Sequence, residues 1–265
     1  MRVCEGTLKR KVKNNDVLLF GCILDSRSAS VVEVFHATGY DGVLIDREHS
    51  PLTEETIADH IRVARCLGLP CMVRVAEDCY HELNRALDQG ADGVFVPRIR
   101  SREQVEKLVD TVRYRPIGNR GLAGSCCPIG KYIGWNSVDE QIETVNDNTV
   151  IGIQIETAEA LANLDDILSV EGIDIAVVGN DDLSLGMGIP GQLQNPEYIA
   201  AVEHIIEVCN KYGVMPGIAV GDSETTLRWM DKGMKAFWFG CDIAWLYRIC
   251  QSEVNAVRDR QAINH

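Results

Sequence analysis

VIGIQIETAEALANLDDILSVEGIDIAVVGNDD, residues 150–182, holds two short apolar runs, VIGIQIE (150–156) and DIAVVG (174–179). Each ends in polar residues, and a longer stretch parts them. That alternation is the pattern of repeated βα units around a parallel sheet. It continues in both directions. Upstream lie VLLFGCI (17–23), VLID (43–46), CMVRV (71–75) and GVFVP (93–97), and downstream MPGIAV (215–220) and AFWFG (236–240). Eight strands are the number that closes a barrel, and one such barrel takes about 250 residues. The 265 residues therefore predict a single (β/α)8 TIM barrel domain over 1–265.

The intervening segments SASVVEVFHATG, TEETIADHIRVARCLG, CYHELNRALDQG, SREQVEKLVDTVRY and PEYIAAVEHIIEVCNKYG place apolar residues at helical spacing. Gly39, Gly68, Gly90 and Gly213 serve as stops. Pro116 to Gly134 has no periodicity and reads as a long loop over the barrel mouth, followed by a short helix, DEQIETVN. After the last strand, DIAWLYRICQSEVNAVRDRQAI forms an additional C-terminal helix, about 242–262. Its apolar stripe either closes the barrel base or packs on a neighbouring subunit.

With 46% hydrophobic and 25% charged residues, the chain has an ordinary globular composition. A net charge of −13 repels nucleic acid and anionic membranes, so neither is an expected partner. An anionic substrate then needs a local cation or arginine to hold it. No run of about 18 apolar residues is present to span a membrane. The ten cysteines are scattered through apolar segments without a CxxC, and the N-terminus is too polar for a signal peptide, so reduced thiols in a cytoplasmic protein are expected.

Active sites of such barrels lie at the C-terminal ends of the strands. There the sequence places Asp46, then Arg47, Glu48 and His49; Arg74; Arg98; Gln154 and Glu156; and Gly179, Asn180, Asp181 and Asp182. Glu156 and Asp182 on neighbouring strand ends suit a hard divalent cation such as magnesium, manganese or cobalt, although either acid also fits a helix N-cap. His49, three residues past Asp46, is a candidate base oriented by that carboxylate; an Asp capping the next helix beside a surface histidine fits the spacing equally well. Arg74 interrupts an apolar strand and must find an anion, either substrate or an internal acid such as Asp88. GNDDLSLGMG offers backbone N–H groups to a carboxylate.

These pieces together resemble the HpcH/HpaI class II pyruvate aldolases of the phosphoenolpyruvate/pyruvate barrel superfamily. The matching segments are DGVLIDREHSP (41–51), VRV (73–75), LDQGADGVFVP (87–97), RYRPIGNRG (113–121), VIGIQIET (150–157), VEGIDIAVVGNDDLSLGMG (170–188) and PGI (216–218). The resemblance implies cleavage of a 4-hydroxy-2-oxo acid to pyruvate and an aldehyde. It makes Glu156 and Asp182 the metal ligands, and His49 with Asp46 the base dyad. Arg74 would steady the pyruvate enolate with Gln154 beside it, and the amides of Gly179, Asp181 and Asp182 would receive the carboxylate. It also implies a hexamer, a trimer of dimers with exchanged C-terminal helices.

The sequence departs from the family pattern at Arg47, at Arg98 and Arg100, in LAGSCCPIGKYIGW (122–135), and in GNDDLS where GPADLS or GPSDLS is common. The added positive charge suggests that Arg47 or Arg98 binds a second anionic group on the aldehyde half. Related enolate chemistry, citryl-CoA-lyase-like or decarboxylating, and a catalytically silent carboxylate-binding barrel are the competing expectations.

Overall fold

The computed structural model describes residues 5–132 and 134–263, with side chains described through residue 260. Eight parallel strands pair in sequence order and close on themselves: β1 (Leu18–Ile23), β2 (Gly42–Asp46), β3 (Cys71–Arg74), β4 (Gly93–Val96), β5 (Val150–Ile155), β6 (Ile175–Val178), β7 (Met215–Val220) and β8 (Ala236–Cys241). All eight fall on the runs expected from sequence. The helices are α1 (Thr7–Lys13), α2 (Ser30–Ala37), α3 (Glu54–Leu67), α4 (Tyr80–Asp88), α5 (Arg102–Val112), α6 (Val138–Asn148), α7 (Ala158–Ala162), α8 (Leu164–Leu168), α9 (Asn180–Gly186), α10 (Pro196–Tyr212), α11 (Ser223–Asp231) and α12 (Asp242–Ile263).

Strand residues alternate between two apolar layers. Phe20, Leu44, Met72, Phe95, Val177 and Trp238 fill the barrel, with Trp238 edge-on to Phe20 and Phe95 at 4.8 and 5.1 Å between ring centres. Their alternates, among them Val43, Ile45, Ile151 and Ile153, pack outward on the helices. The acid before β2, β4 and β6 accepts a backbone N–H from the preceding strand: Asp41 from Leu19 at 3.0 Å, Asp92 from Cys71 at 2.9 Å, and Asp174 from Ile151 at 2.9 Å. These bonds fix the register at the base, so the residues at the opposite ends of the strands meet at a defined level.

The base is closed by α1, which enters the interior with buried Leu8 and ties Lys9 to Asp174 at 2.5 Å. The C-terminal helix therefore does not close it. Instead α12 is anchored at its start, where the Asp242 carboxylate accepts the N–H groups of Leu24, Asp25 and Ser26. Beyond that anchor Leu246, Tyr247, Ile249, Val254 and Val257 are exposed.

The described part of the 116–134 segment departs from expectation. It does not cover the mouth: Arg120 pairs with Asp88 at 2.7 Å, Gly121 N–H donates to the Tyr80 hydroxyl, and Gln141 of α6 donates to the Ala123 carbonyl. Ile129 is buried with Tyr114 and Val145 in a small separate core. The reason is topological, since this stretch connects the end of α5 to α6 and the start of β5. A helix-to-strand connection returns towards the base of a barrel, and its apolar residues find α4 and α6 on the way.

Candidate active site

The strand ends place Asp46 and Arg74 side by side in register on β2 and β3. Arg74 donates Nε and Nη2 to the two oxygens of Asp46, both at 2.7 Å. Planar guanidinium and planar carboxylate thus meet as a fork. Asp46 is only 1% exposed, and it also accepts the backbone N–H groups of Glu48 at 3.0 Å and His49 at 3.3 Å. The Ser50 hydroxyl donates to the Asp46 carbonyl at 2.5 Å. The 46–50 turn is therefore wound around one carboxylate, which fixes the chain that carries His49.

This differs in detail from the expected dyad. Asp46 meets the His49 backbone and not its ring, because Arg74 and the Glu48 and His49 N–H groups give each carboxylate oxygen two donors. The imidazole is 63% exposed and has Glu48 Oε2 3.7 Å from its Nε2. Arg74 likewise does not use Asp88, which is engaged with Arg120. Its Nη1 lies 3.4 Å from Glu48. Burial works against the Arg74 charge, but Asp46 and Glu48 outweigh it and raise its pKa. Glu48 is thus part of the site, and its buried Oε2 has no hydrogen-bond donor. Its position between Asp46 and His49 was the available signal in the sequence.

Glu156 follows β5 and is 2% exposed. One oxygen accepts the backbone N–H of Arg98 at 2.6 Å and the other the Gln154 amide at 2.5 Å. Burial raises its pKa, with Glu48 and Asp182 adding to the rise and the Arg98 N–H opposing it. Glu48, Glu156 and Asp182 therefore share one electrostatic neighbourhood at the mouth. Asp182 is half-buried in the first turn of α9, and Asp181 beside it is exposed. Gly179 must be glycine, since a Cβ there would fall 2.4 Å from Gln154 Nε2 and 2.7 Å from Glu156 Oε2. Its own N–H donates to the Ile155 carbonyl at 3.1 Å, so this amide, expected to receive a carboxylate, is engaged in the sheet.

The two arginines expected to bind a second anion separate. Arg47 is paired with Glu54 of α3 and, at 3.1 Å, with Glu82 of α4, so it fastens the 46–50 turn to the outer helices and is not available for a distant anion. Arg98 takes a left-handed backbone, φ 57°, which aims its N–H at Glu156 and leaves its side chain exposed. A non-glycine residue held there stores backbone strain of the sort found at functional sites.

The donor set fits a hard dication. Glu156 and Asp182 offer carboxylate oxygens, and the crowding of buried acids is relieved when a cation arrives. Gln154 Oε1 is a further buried oxygen without a donor. Among the described residues no three ligands of the His, Cys, Asp or Glu types converge. A cation here would take two protein carboxylates and fill its remaining positions with substrate and water, as small divalent ions commonly do.

Residues 19–247, which include every residue of this mouth, match the HpcH/HpaI aldolase/citrate lyase family. The chain is 33% identical to a 2-dehydro-3,6-dideoxy-6-sulfogluconate aldolase of Pseudomonas putida, over 91% of this chain and 93% of that protein. It is 30% identical to a 4-hydroxy-2-oxo-heptane-1,7-dioate aldolase of Shigella flexneri, over 88% and 86% respectively. The crystal structure of an HpcH/HpaI aldolase from Desulfitobacterium hafniense superposes with a TM-score of 0.89 at 26% identity, covering 95% of this chain and 96% of that one. A closed parallel barrel, an acid after β5 and another in the first turn of α9, and an arginine fork on β2 and β3 thus occur in a chain that belongs to the HpcH/HpaI aldolase/citrate lyase family.

Proposed function

We propose that the chain cleaves a 4-hydroxy-2-oxo acid to pyruvate and an aldehyde, or runs the reverse addition, with a divalent cation (magnesium, manganese or cobalt) held by Glu156 and Asp182. One observation carries this: in a chain of the HpcH/HpaI family, Glu156 is 2% exposed at the end of β5 and shares its surroundings with the acids Glu48 and Asp182. Such a cluster is unfavourable by itself and favourable around a dication. When bound, the cation supplies Lewis acidity to the 2-oxo acid.

The chain's own residues do the rest. Asp46 takes Nε and Nη2 of Arg74, and Nη1, which faces Glu48 at 3.4 Å, is the nitrogen we assign to meet negative charge developing on the three-carbon product. The exposed His49 imidazole, fixed through its backbone by Asp46, is the group we assign to take the 4-hydroxyl proton. Gln154 holds Glu156 in place, and the first-turn amides of Asp181 and Asp182 remain to receive the substrate carboxylate.

The names of both curated relatives specify a second acid group far from the 2-oxo end, a 7-carboxylate in one and a 6-sulfonate in the other. With Arg47 paired internally, Arg98 is the residue we assign to such a group here. Measuring retro-aldol turnover on 4-hydroxy-2-oxo acids with and without a distal acid, by coupled pyruvate detection, tests both assignments. EDTA, Glu156→Gln and Asp182→Asn are each expected to abolish turnover, and Arg98→Ala to erase the preference for the distal acid. Turnover that survives all three of the first set removes the metal assignment.

The exposed apolar residues of α12 support association with further copies of the chain, and a hexamer is the assembly we propose. Among the described residues no helix is long and apolar enough to cross a membrane, and the nine described cysteines are free thiols, which suits a cytoplasmic enzyme.

A further inference from the structure

The first turn of α9 is short of anchors for reasons set by its neighbours. Its N-cap is Gly179, a residue without a side-chain oxygen, so α9 has no side-chain cap. The glycine cannot be exchanged for Ser or Asp, because any Cβ there meets Gln154 and Glu156. Beside the turn lies a cavity of about 150 Å³ lined by Asn180, Tyr198, Ala219, Asp222 and Trp229 among others, so on that side close packing does not hold it, and the core contact comes only with Leu183, after Asp182.

What holds it is Asn180, the next residue and one of the departures from the family pattern. Its Nδ2 donates to the Ala219 carbonyl on β7 at 2.7 Å, and its Oδ1 accepts the Tyr198 hydroxyl of α10 at 2.6 Å. Tyr198 is 1% exposed, so its hydroxyl position is set by α10. The amide of Asn180 thereby ties the turn to a strand and to a second helix at once. Asp182 is two residues further along the same turn.

We propose that Tyr198 and Asn180 are positioning residues that set the Asp182 carboxylate for the cation, replacing the missing cap with a side-chain clamp. This rests on Asp182 being a ligand, as proposed above. Without the clamp the turn is free to settle towards the cavity, and a dication with only two protein carboxylates is sensitive to the placement of either.

The test is direct binding of Mn2+ to the full-length protein, read from the electron paramagnetic resonance signal of free Mn2+, alongside the thermal midpoint of the metal-free protein. Wild type should bind and Asp182→Asn should lose binding; if either fails, the ligand assignment is wrong and the clamp proposal is overturned with it. Given those two results, Tyr198→Phe should weaken Mn2+ about fivefold, the scale of one hydrogen bond, and Asn180→Ala roughly tenfold or more. Asn180→Pro in the Tyr198→Phe background should restore affinity, because proline at the first helical position presets the backbone angle without needing either partner. A merely structural clamp would lower the thermal midpoint and leave the affinity of folded protein at the wild-type value in both single variants, and that result overturns the proposal.

Discussion

Replacing Arg74 by Met keeps most of the side-chain volume and removes the fork. Asp46, 1% exposed, then loses two charge-assisted hydrogen bonds at 2.7 Å and keeps only the N–H groups of Glu48 and His49, at 3.0 and 3.3 Å. Breaking a buried pair from one side costs about 3–5 kcal/mol, since the remaining charge is stranded. The two surviving donors place the expectation at the lower end, about 3 kcal/mol. For a chain of this size that is a fall of roughly 8 °C in thermal midpoint. Arg74→Met/Asp46→Asn removes the stranded charge and should cost only about 1 kcal/mol, so the double variant is the more stable of the two. Urea unfolding of the metal-free protein measures both. A single variant within about 1 kcal/mol of wild type, or a double variant no better than the single, would show that the fork is not what holds the 46–50 turn.

The raised Glu156 pKa means that its charged form is disfavoured in the folded state, so its contribution is fully present below the ordinary carboxylate range and is lost as pH rises through the folded value. Metal-free Glu156→Gln should therefore lose less stability than wild type between pH 4 and pH 8, seen in thermal midpoints, while being inactive; parallel curves would contradict this. Gly179→Ala drives a Cβ into Gln154 and Glu156 and should cost about 1–3 kcal/mol and most of the turnover, read by urea unfolding and the pyruvate assay. Arg98→Gly relieves a left-handed backbone and should raise stability by about 1 kcal/mol while raising KM only for substrates with a distal acid. Leu246→Glu and Val257→Glu on α12 should lower the oligomeric mass measured by light scattering without unfolding the barrel, since both side chains are exposed in the single chain.

The barrel was legible because its signal is local. Runs such as VIGIQI and MPGIAV are apolar on both faces, and a strand buried on both faces announces itself within six residues. For the same reason Asp46, Arg74, Glu156 and Asp182 could be picked out as polar residues breaking or ending apolar runs. The α1 plug was not legible, since TLKRKVK carries one buried apolar residue, Leu8, and no periodicity points it at the barrel floor.

The partners of those polar residues were a different matter. Arg74 could be read as needing an anion, but Asp46 or Asp88 as its choice depends on the register of β2 against β3, which no stretch of either strand contains. The same holds for Arg47 between α3 and α4, for Glu48 turning into the acid cluster, and for Asn180 finding a tyrosine hydroxyl 18 residues away. Side-chain type and burial pattern are properties of a segment, so the sequence alone determined the fold and the inventory of the mouth. Which donor meets which acceptor depends on angstrom-scale placement of separate segments, and that was decided only when the closed barrel brought their ends together.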